Sequence, residues 1–446
     1  MSTTIKKAYN IFDSFTYFFK IIFSDKYLEE EENIITFKKK MSSNGPLYIK
    51  FCQLVSQRDD IFNCNDILKK HLIDLHENCP QHSYSETEKI FKENFPNTNL
   101  DDMFDYINPT PIASGSISQV YQVILKDKSE FSIMKIKHPN IDIKMKENIS
   151  EFKIITKLFK KAKYNFLDTI DFEHFYECLL MQLDYENEVS VTQEVFTKTK
   201  NVENLSCPEI LSHTKDIIIE TYDSGVSYEK FIMSHPELKI KSKIKALHQM
   251  FYMIFVLRIS HIDCHNGNIL YKLIDDQIHI SFIDFGVNKR LEQDERDSIG
   301  NLLKSISHRN KNLFFKSLMK CCNNDSNLEM ILDKLKDFNF EIFFSLKENS
   351  GSVTMIKDSL VSLHNQGIII NSNILDVMLN MSLIVESVDK NLEYPLFDYT
   401  VYDILENDKT SLQSMFSKII DEKAYLLKKD NLRVIKTNNN LKNKFN

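Results

Sequence analysis

The chain has 446 residues, enough for two or three domains with a sizeable hydrophobic core. Hydrophobic residues make up 42% and charged residues 27% of the sequence, a balance that argues against a largely disordered protein. The formal net charge of −7 provides no overall positive field, which argues against nucleic acid as the main partner.

Helices are predicted over residues 1–106. The clearest is an apolar-spaced segment at residues 67–75, and the Asn78-Cys79-Pro80 that follows is a stop signal. Residues 8–23 are open to two interpretations. The one we favour is a packing helix; the alternative is an interfacial helix that contacts a membrane or lipid surface.

No segment predicts secretion or membrane insertion. No stretch reaches the 18 or more apolar residues of a membrane span, and the N-terminus has neither an uninterrupted apolar core nor an evident cleavage site. The first arginine is Arg58, which speaks against an arginine-rich transit peptide. The compartment therefore stays open, and we expect a cytoplasmic or peripheral membrane location.

A β-hairpin is predicted after Pro109. The segment PIASGSISQVYQVILKDKSEFSIMKIKHP alternates apolar and polar residues, and its turn lies at residues 126–129. Alternation places Lys135 on the opposite strand face from Met134 and Ile136. A lone strand lysine is usually an edge or solvent residue, but a lysine here can reach the phosphates of a nucleotide under a loop of small residues. That loop consists of Ala113, Ser114, Gly115 and Ser116.

Carboxylates that could hold Lys135 occur on the helical segment that follows, at residues 141–196. The sequence LDYENEVSV spaces Asp184 and Glu188 four residues apart, on one helical face. From these residues alone, the interpretation we favour is a solvated acidic face, and a partner for Lys135 is the alternative. The next apolar run, DIIIETYD, is typical of a buried strand, and its Glu220 is included among the predicted nucleotide-binding residues.

The strongest local signal is HIDCHNGNIL followed by ISFIDFG. Asp263 and Asn268 are five residues apart, and Asp284 follows Asn268 by 16, which matches the kinase pattern H-x-D-x-x-x-x-N and the tripeptide DFG. Magnesium prefers hard oxygen ligands, which the Asn268 amide and the Asp284 carboxylate supply. Asp263 is the candidate base on the acceptor side. The combination predicts phosphoryl transfer from Mg-ATP.

Zinc is a weaker alternative. His261 and His265 are four residues apart and could bind zinc if they lay on a helix, but Gly267 and the surrounding loop chemistry argue against one. The eight cysteines contain no C-x-x-C pair, so reduced and mostly buried thiols are expected.

The order of the elements predicts the architecture. Helices are followed by a small antiparallel sheet with an inserted helix, a connector, and a mainly helical lobe with a hairpin that turns at residues 275–276. We expect an α+β, two-lobed protein-kinase-like fold with a ligand cleft between the lobes. The predicted domains are a helical extension at 1–106, an N-lobe at 107–222, a C-lobe at 223–345 and a helical C-terminal region with a basic tail at 346–446.

Several segments together resemble the UbiB family of atypical kinases. They are GPLYIKFCQLVSQRDDIF, PIASGSISQVYQVIL, IMKIKHPNI, LDYENE, HIDCHNGNILY and FIDFGVNKRL, and they cover about residues 40–320 in unbroken order. The resemblance implies a kinase-like fold, an N-terminal extension that covers the active site, an Ala-rich loop in place of the Gly-rich one, and ATP with Mg²⁺ as cofactors. It also implies ATPase or small-molecule kinase activity linked to ubiquinone biosynthesis and lipid handling at membranes.

The resemblance assigns roles by position. Lys50 and Gln53 look like the extension motif that reaches into the nucleotide site, and Lys135 looks like the phosphate-contacting lysine with Glu188 as its partner. The catalytic and metal-binding set would be Asp263, Asn268 and Asp284, with Asp184 as a further metal ligand.

Three departures from the family pattern bear on activity. Cys52 stands where the extension motif has glycine, and Gln182 stands where the motif Glu-x-Asp has glutamate. The loop carries Ser114 and Gly115, and a more flexible loop would favour conventional nucleotide binding. Three functions follow as hypotheses: an atypical kinase or ATPase with a small-molecule, lipid or protein acceptor or water, a nucleotide-gated pseudokinase, and a lipid-binding helper at a membrane.

Overall fold

The computed structural model describes most of the chain, in two compact units. The described residues are 3–23, 30–57, 66–76, 79–161, 171–307, 310–321, 371–385 and, between 400 and 419, all except 402, 406, 407 and 409. The first unit is drawn from residues 1–193 and 208–222, and the second from residues 194–207 and 223–446. The predicted α+β class is confirmed, whereas the four predicted domain boundaries stay predictions.

The elements are numbered in chain order. The helices are α1 (Thr3–Phe23), α2 (Glu31–Asn44), α3 (Pro46–Gln57), α4 (Asp66–Ile73), α5 (Tyr84–Asn94), α6 (Leu100–Met103), α7 (Ile141–Lys161), α8 (Phe172–Met181), α9 (Tyr185–Thr199), α10 (Tyr228–Ser234), α11 (Lys239–Phe251), α12 (Gln293–Ser307), α13 (Lys311–Lys320), α14 (Ser372–Val385) and α15 (Ser411–Ile419). The strands are β1 (Phe104–Ile107), β2 (Ala113–Ser114), β3 (Ser118–Leu125), β4 (Ser132–Lys137), β5 (Leu205–Ser206), β6 (Ile210–His213), β7 (Ile217–Thr221), β8 (Ile259–His261), β9 (Ile269–Ile274), β10 (Gln277–Phe282) and β11 (Asn288–Arg290).

The helical part of the first unit has an aromatic core. Phe15 of α1 contacts the rings of Tyr48, Phe51 and Phe152 at centroid distances of 6.3, 6.0 and 5.4 Å, so α1, α3 and α7 share one apolar interior. Residues 8–23 therefore form a packing helix, the interpretation that we favoured. Membrane or lipid contact through these helices stays a prediction. Among the described helices, none has both the length and the apolar character needed to cross a membrane.

A six-stranded antiparallel sheet forms the other part of the first unit. Its order is β1-β3-β4-β7-β6, with β2 beside β3. Met134 and Ile136 of β4 pack with Phe91 of α5 in the core on one face. Phe104–Ile107 is a strand rather than the predicted helix end, because it pairs with β3 as the edge of this sheet. Lys135 lies on the other face of the sheet, where it pairs with Glu188.

The second unit contains a three-stranded sheet and a two-stranded ladder. β10 lies between β5, to which it is parallel, and β9, to which it is antiparallel, while β8 pairs with β11. The hairpin between β9 and β10 turns at Asp275 and Asp276, as predicted. Both have positive φ, 48° and 59°, a conformation that suits two-residue hairpin turns and that aspartate tolerates better than most residues.

A buried charge cluster ties the C-terminal region to α11. His248 bonds Asp403 through Nδ1 at 2.7 Å and Asp408 through Nε2 at 2.6 Å, and Lys245 adds a second cation 2.7 Å from Asp403. Thr410 donates its backbone N–H to Asp408 at 2.6 Å. The two carboxylates raise the pKa of His248 against the effect of burial, so the imidazole gains a proton and completes the ion pairs. We call these residues the His248 cluster.

Candidate functional site

Lys135 lies on β4, a central strand of the first unit. Its Nζ is 2.5 Å from Oε1 of Glu188 on α9. The two residues are only 7% and 3% exposed, so the opposite charge has to compensate for the lost hydration of each group. This buried ion pair holds the ammonium on the sheet face opposite the apolar core.

The small-residue loop lies beside Lys135 in the same sheet. Ala113 is in register with Val120, which is in register with Lys135. Adjacent strands are about 4.8 Å apart, so the Cα atoms of Ala113 and Lys135 are about 10 Å apart and their side chains share a face. After β2 the chain turns tightly, because the Gly115 N–H donates to the Ser118 carbonyl at 2.9 Å.

The helical extension contacts this loop directly. The Cys79 N–H donates to the Ser114 carbonyl at 2.8 Å, and the Cys79 thiol bonds the Leu75 carbonyl at 3.1 Å. Gln53 donates Nε2 to the same Leu75 carbonyl at 2.7 Å. Burial raises the pKa of the Cys79 thiol to about 12 although the Lys50 charge opposes the shift, so the thiol stays protonated at neutral pH. Gln53 is thereby linked to the loop through two intervening residues.

The departures from the family pattern are accommodated locally. Cys52 is fully buried in the aromatic core, where its side chain fills space. Asp184 precedes α9 rather than sharing a helical face with Glu188. Its Oδ1 accepts the Asn187 N–H at 3.1 Å, the role of a helix cap for which aspartate is preferred. Glu220 is buried on β7 between β4 and β6. The metal role of Asp184 and the nucleotide role of Glu220 stay predictions.

In the second unit, the loop that carries Asp263 lies between two ladders. It leaves β8, which pairs with β11, and enters β9, which pairs with β10. The Ile262 N–H donates to the Val287 carbonyl at 3.0 Å, and the His265 N–H donates to the Asp263 carbonyl at 2.9 Å. The backbone on both sides of Asp263 is therefore fixed by hydrogen bonds, which is the precondition for a positioned catalytic carboxylate.

Asn268 and Asp284 are adjacent in the second unit. The Ile283 N–H donates to the Asn268 carbonyl at 3.1 Å, which places the next residue, Asp284, beside Asn268. The Asn268 side chain donates Nδ2 to the Asp263 carbonyl at 2.8 Å. Because the nitrogen is used in this way, Oδ1 faces the other direction and is the atom that a cation would bind. An amide oxygen beside a carboxylate is a donor set that fits magnesium.

Asp284 has a strained backbone. Its φ is 60°, in the left-handed region, which costs a residue other than glycine about 1–2 kcal/mol. The conformation is held because Oδ1 accepts the Gly286 N–H at 3.3 Å and Phe285 is fully buried against the His261 ring. Strain of this kind clusters at functional sites.

The two histidines of the loop have backbone partners. His261 Nε2 bonds the Ile283 carbonyl at 2.9 Å, and His265 Nδ1 accepts the Gly267 N–H at 3.0 Å. Within the described residues no group of three or more potential ligands is arranged around a metal position. Gly267 lies in a short 3₁₀ turn, so the helical spacing that zinc would need is absent here. These contacts give the zinc alternative no support.

A further residue, Asn380 on α14, was missed by the sequence reasoning. Its Nδ2 donates to the Ile262 carbonyl at 2.7 Å and its Oδ1 accepts the Cys264 N–H at 3.2 Å, so one amide brackets Asp263. Asn380 is 4% exposed, among the buried apolar residues Val377, Met378 and Met381 of the same helix. A polar residue at a buried helical position was the available signal. Burial and the Asp263 charge raise the pKa of the Cys264 thiol, which therefore stays protonated.

The structure thus brings the predicted residues together in two sets. In the first unit the small-residue loop, Lys135 and Glu188 share one sheet and its covering helix, and Gln53 connects to the loop. In the second unit Asp263, Asn268 and Asp284 meet at the ends of β8, β9 and β10. The role of each residue in binding or catalysis stays a prediction.

Comparison with known proteins identifies similar chains. A family model described as the ABC1 atypical kinase-like domain matches residues 74–318. A Clostridium pasteurianum protein of the hydrogenase 1 5′ region is 24% identical over 96% of this chain and 80% of its own length. The probable serine/threonine-protein kinase abkC of Dictyostelium discoideum is 27% identical over 52% of this chain. The AarF domain-containing protein kinase 1 of Gallus gallus is 26% identical over 50% of this chain.

The chain matches only part of the two kinase-named relatives. The shared region spans 34% of the Dictyostelium protein and 44% of the Gallus protein. Other similar proteins are named as mitochondrial in yeast and chloroplastic in Arabidopsis thaliana.

Proposed function

The chain belongs to the ABC1 atypical kinase-like family, as the resemblance to UbiB proteins indicated, and from this premise we propose that it is an ATP-dependent phosphotransferase or ATPase. In this proposal Mg-ATP is bound by Lys135 of the first unit and by Asn268 and Asp284 of the second. The γ-phosphoryl group passes to a small-molecule, lipid or protein acceptor, or to water.

The buried pair of Lys135 and Glu188 is the observation that carries the proposal. Burying two charges costs free energy that an apolar pair of similar size would not, so stability alone does not explain an ammonium at 7% exposure in a central strand. A lysine beside a loop of small residues is suited to phosphate oxygens. Ser116 of that loop supports the same use, since its Oγ is buried and no described protein group bonds it.

Each residue would contribute a separate function. The Lys135 ammonium would bind and partly neutralise phosphate oxygens, and Glu188 would keep it in place. Asn268 Oδ1 and the Asp284 carboxylate would hold magnesium, which supplies positive charge to the phosphates. Asp263 would orient the acceptor hydroxyl or a water molecule and accept its proton.

Magnesium-dependent release of ADP tests the proposal. We expect turnover by the wild type and at least about a 100-fold loss in Lys135→Ala and in Asp284→Asn, because each removes charge stabilisation from the transferring group. Asp276→Asn is the matched control, since it makes the same chemical change at an exposed hairpin turn with positive φ. Equal rates in all four proteins would remove the enzyme proposal.

A pseudokinase is the second candidate, and one observation favours it. Position 182 is a neutral glutamine, and one Asp184 oxygen is engaged in capping α9, so this part of the motif offers less negative charge to a metal than the family pattern does. Nucleotide binding without ADP release, unchanged in Asp263→Asn, would identify this function. Loss of ADP release in that variant would instead support turnover.

A further inference from the structure

Two histidines outside the predicted site meet beside the small-residue loop. His82 immediately precedes Ser83, the cap of α5, and His138 follows β4, three residues after Lys135. The Nδ1 atoms of the two rings are 2.8 Å apart, and the ring planes cross at 86°. The pair therefore connects the segment before α5 with the end of the strand that carries Lys135.

The hydrogen bonds of the pair determine which nitrogen carries each proton. His138 Nε2 is 3.0 Å from the Gly115 carbonyl, which can only accept, so this nitrogen carries a hydrogen. Nδ1 of the neutral His138 ring then accepts from Nδ1–H of His82. His82 Nε2 is left to accept from the Thr87 hydroxyl at 3.0 Å. Both tautomers are assigned from this network.

The same order of donors continues into the core of the unit. The Tyr121 hydroxyl donates to the Thr87 oxygen at 2.7 Å, and the Gln119 amide donates to the Tyr121 oxygen. Thr87, Gln119 and Tyr121 are fully buried, so water does not compete for these bonds. One directed chain of hydrogen bonds therefore runs from Gln119 to the Gly115 carbonyl.

His138 fixes the loop at two points. Its backbone N–H donates to the Ile117 carbonyl at 2.8 Å, and its ring donates to the Gly115 carbonyl. Because the peptide bond is planar and trans, a Gly115 carbonyl that faces His138 makes the Ser116 N–H face the other way. The Ser116 side chain is 6% exposed, and its Oγ has no bond to any described protein group. A backbone N–H and a hydroxyl in a turn of small residues are donors that suit a phosphate.

We propose that His82 and His138 are positioning residues for the nucleotide, which hold the Gly115–Ser116 peptide so that Ser116 faces the phosphates. This inference rests on the proposed function and assigns two further residues to the same loop. The directed chain exists only while both rings are neutral.

One added proton disturbs the chain. Whichever ring takes it up, His82 Nε2 then carries a hydrogen that faces Thr87, so either the Thr87 or the Tyr121 hydroxyl loses its acceptor among the described groups. A second proton sets two N–H groups against each other at 2.8 Å. The first proton leaves the bond from His138 Nε2–H to the Gly115 carbonyl in place, so nucleotide affinity would fall only when the second proton forces the two rings apart.

The surroundings keep both rings neutral. Burial, the largest effect, and then the His138 ring lower the pKa of His82 to about 4, and burial also lowers the pKa of His138. Glu86 on α5 favours the proton at both rings, whereas Lys144 on α7 opposes it. The pKa of His82 is lower in the folded than in the unfolded state. Its neutral ring therefore contributes fully to the stability of the fold above pH 6.5, and this contribution is lost as the pH falls towards 4.

Nitrogen-15 NMR of labelled histidines tests the chain without any nucleotide. At neutral pH we expect His82 as the Nδ1–H tautomer and His138 as the Nε2–H tautomer, with the pKa of both rings below the ordinary histidine value. His82→Gln and His138→Gln identify the two sets of signals. Rings that titrate near the ordinary histidine pKa of about 6.5 would overturn the inference.

ADP affinity tests the positioning role. His138→Leu removes the ring bond to Gly115 and is expected to weaken ADP binding about tenfold, whereas His138→Gln keeps a donor and should stay within about threefold of the wild type. His213→Leu is the matched control, a histidine on β6 of the same unit whose ring contacts Glu186 at 3.3 Å. Equal losses in His138→Leu and His138→Gln, or an equal loss in His213→Leu, would overturn the positioning role.

Failure of the proposed function can be distinguished from failure of the positioning role of the histidines. If the wild type binds no ADP while the tautomers are as expected, the proposed function fails and the nucleotide role of the pair fails with it. If the wild type binds ADP and His138→Leu binds it equally well, the positioning role fails while the proposed function stands.

Discussion

Glu188→Gln is expected to lower the free energy of unfolding by about 3–5 kcal/mol and to reduce nucleotide turnover at least about 100-fold. The substitution keeps the size of the side chain but removes the negative charge 2.5 Å from the Lys135 ammonium, at a site where both residues are buried. Urea unfolding and ADP release measure the two effects. An unchanged midpoint would show that the pair is hydrated in solution.

The double variant Lys135→Met/Glu188→Leu separates stability from activity. Replacing both charges by apolar groups of similar volume removes the desolvation cost on each side, so we expect unfolding free energy within about 1 kcal/mol of the wild type. Turnover should stay as low as in Lys135→Ala, because no ammonium is left for the phosphates. A double variant that is stable and active would remove the catalytic role of the pair.

His248→Gln is expected to destabilise the second unit by about 3–5 kcal/mol, because Asp403 and Asp408 would lose the imidazolium that bonds both of them. Thermal unfolding measures the loss. His235→Gln is the control in the same unit, since within the described part of the chain the His235 ring bonds a single carbonyl, that of Phe231 at 3.3 Å, and stacks on the Phe231 ring. A small shift for both variants would contradict a structural role for the cluster.

The His248 cluster should also make stability depend on pH. The folded-state pKa of His248 is raised, so its contribution is complete below the unfolded value of 6.5 and is lost as the pH rises through the folded pKa. The pKa values of Asp403 and Asp408 are lowered, so their contribution is complete above 3.8 and is lost in acid. The difference in the free energy of unfolding between the wild type and His248→Gln should therefore be largest between pH 3.8 and 6.5. A difference that grows above pH 6.5 would contradict this assignment.

Local patterns carried much of the fold and of the candidate site. The alternation around Lys135 predicted its strand face, and the Asp275–Asp276 pair predicted a hairpin, because strand period and turn chemistry depend on neighbours in sequence. The spacing of Asp263 and Asn268 matched a loop whose hydrogen bonds are themselves local.

What the sequence did not reveal depends on distant contacts. Asn380 bonds the backbone beside Asp263 across more than 100 residues, and the ring contact of His82 with His138 spans 56. No periodicity connects such residues, since only tertiary packing brings them together. Asp184 is a different case. Aspartate is a preferred helix-capping residue, so its role at the start of α9 could have been predicted from the residue type, but its four-residue spacing from Glu188 favoured a shared helical face instead.

The central claim is that Lys135 and Asp284 act on one nucleotide. Calorimetric titration with a non-hydrolysable ATP analogue, with and without magnesium, tests it most directly. We predict one binding site for the analogue, with an affinity that magnesium raises at least about tenfold. Asp284→Asn should abolish this gain in affinity. Lys135→Met should keep the gain but should weaken binding in the absence of magnesium. Full magnesium enhancement in Asp284→Asn, or wild-type affinity in Lys135→Met, would contradict the claim.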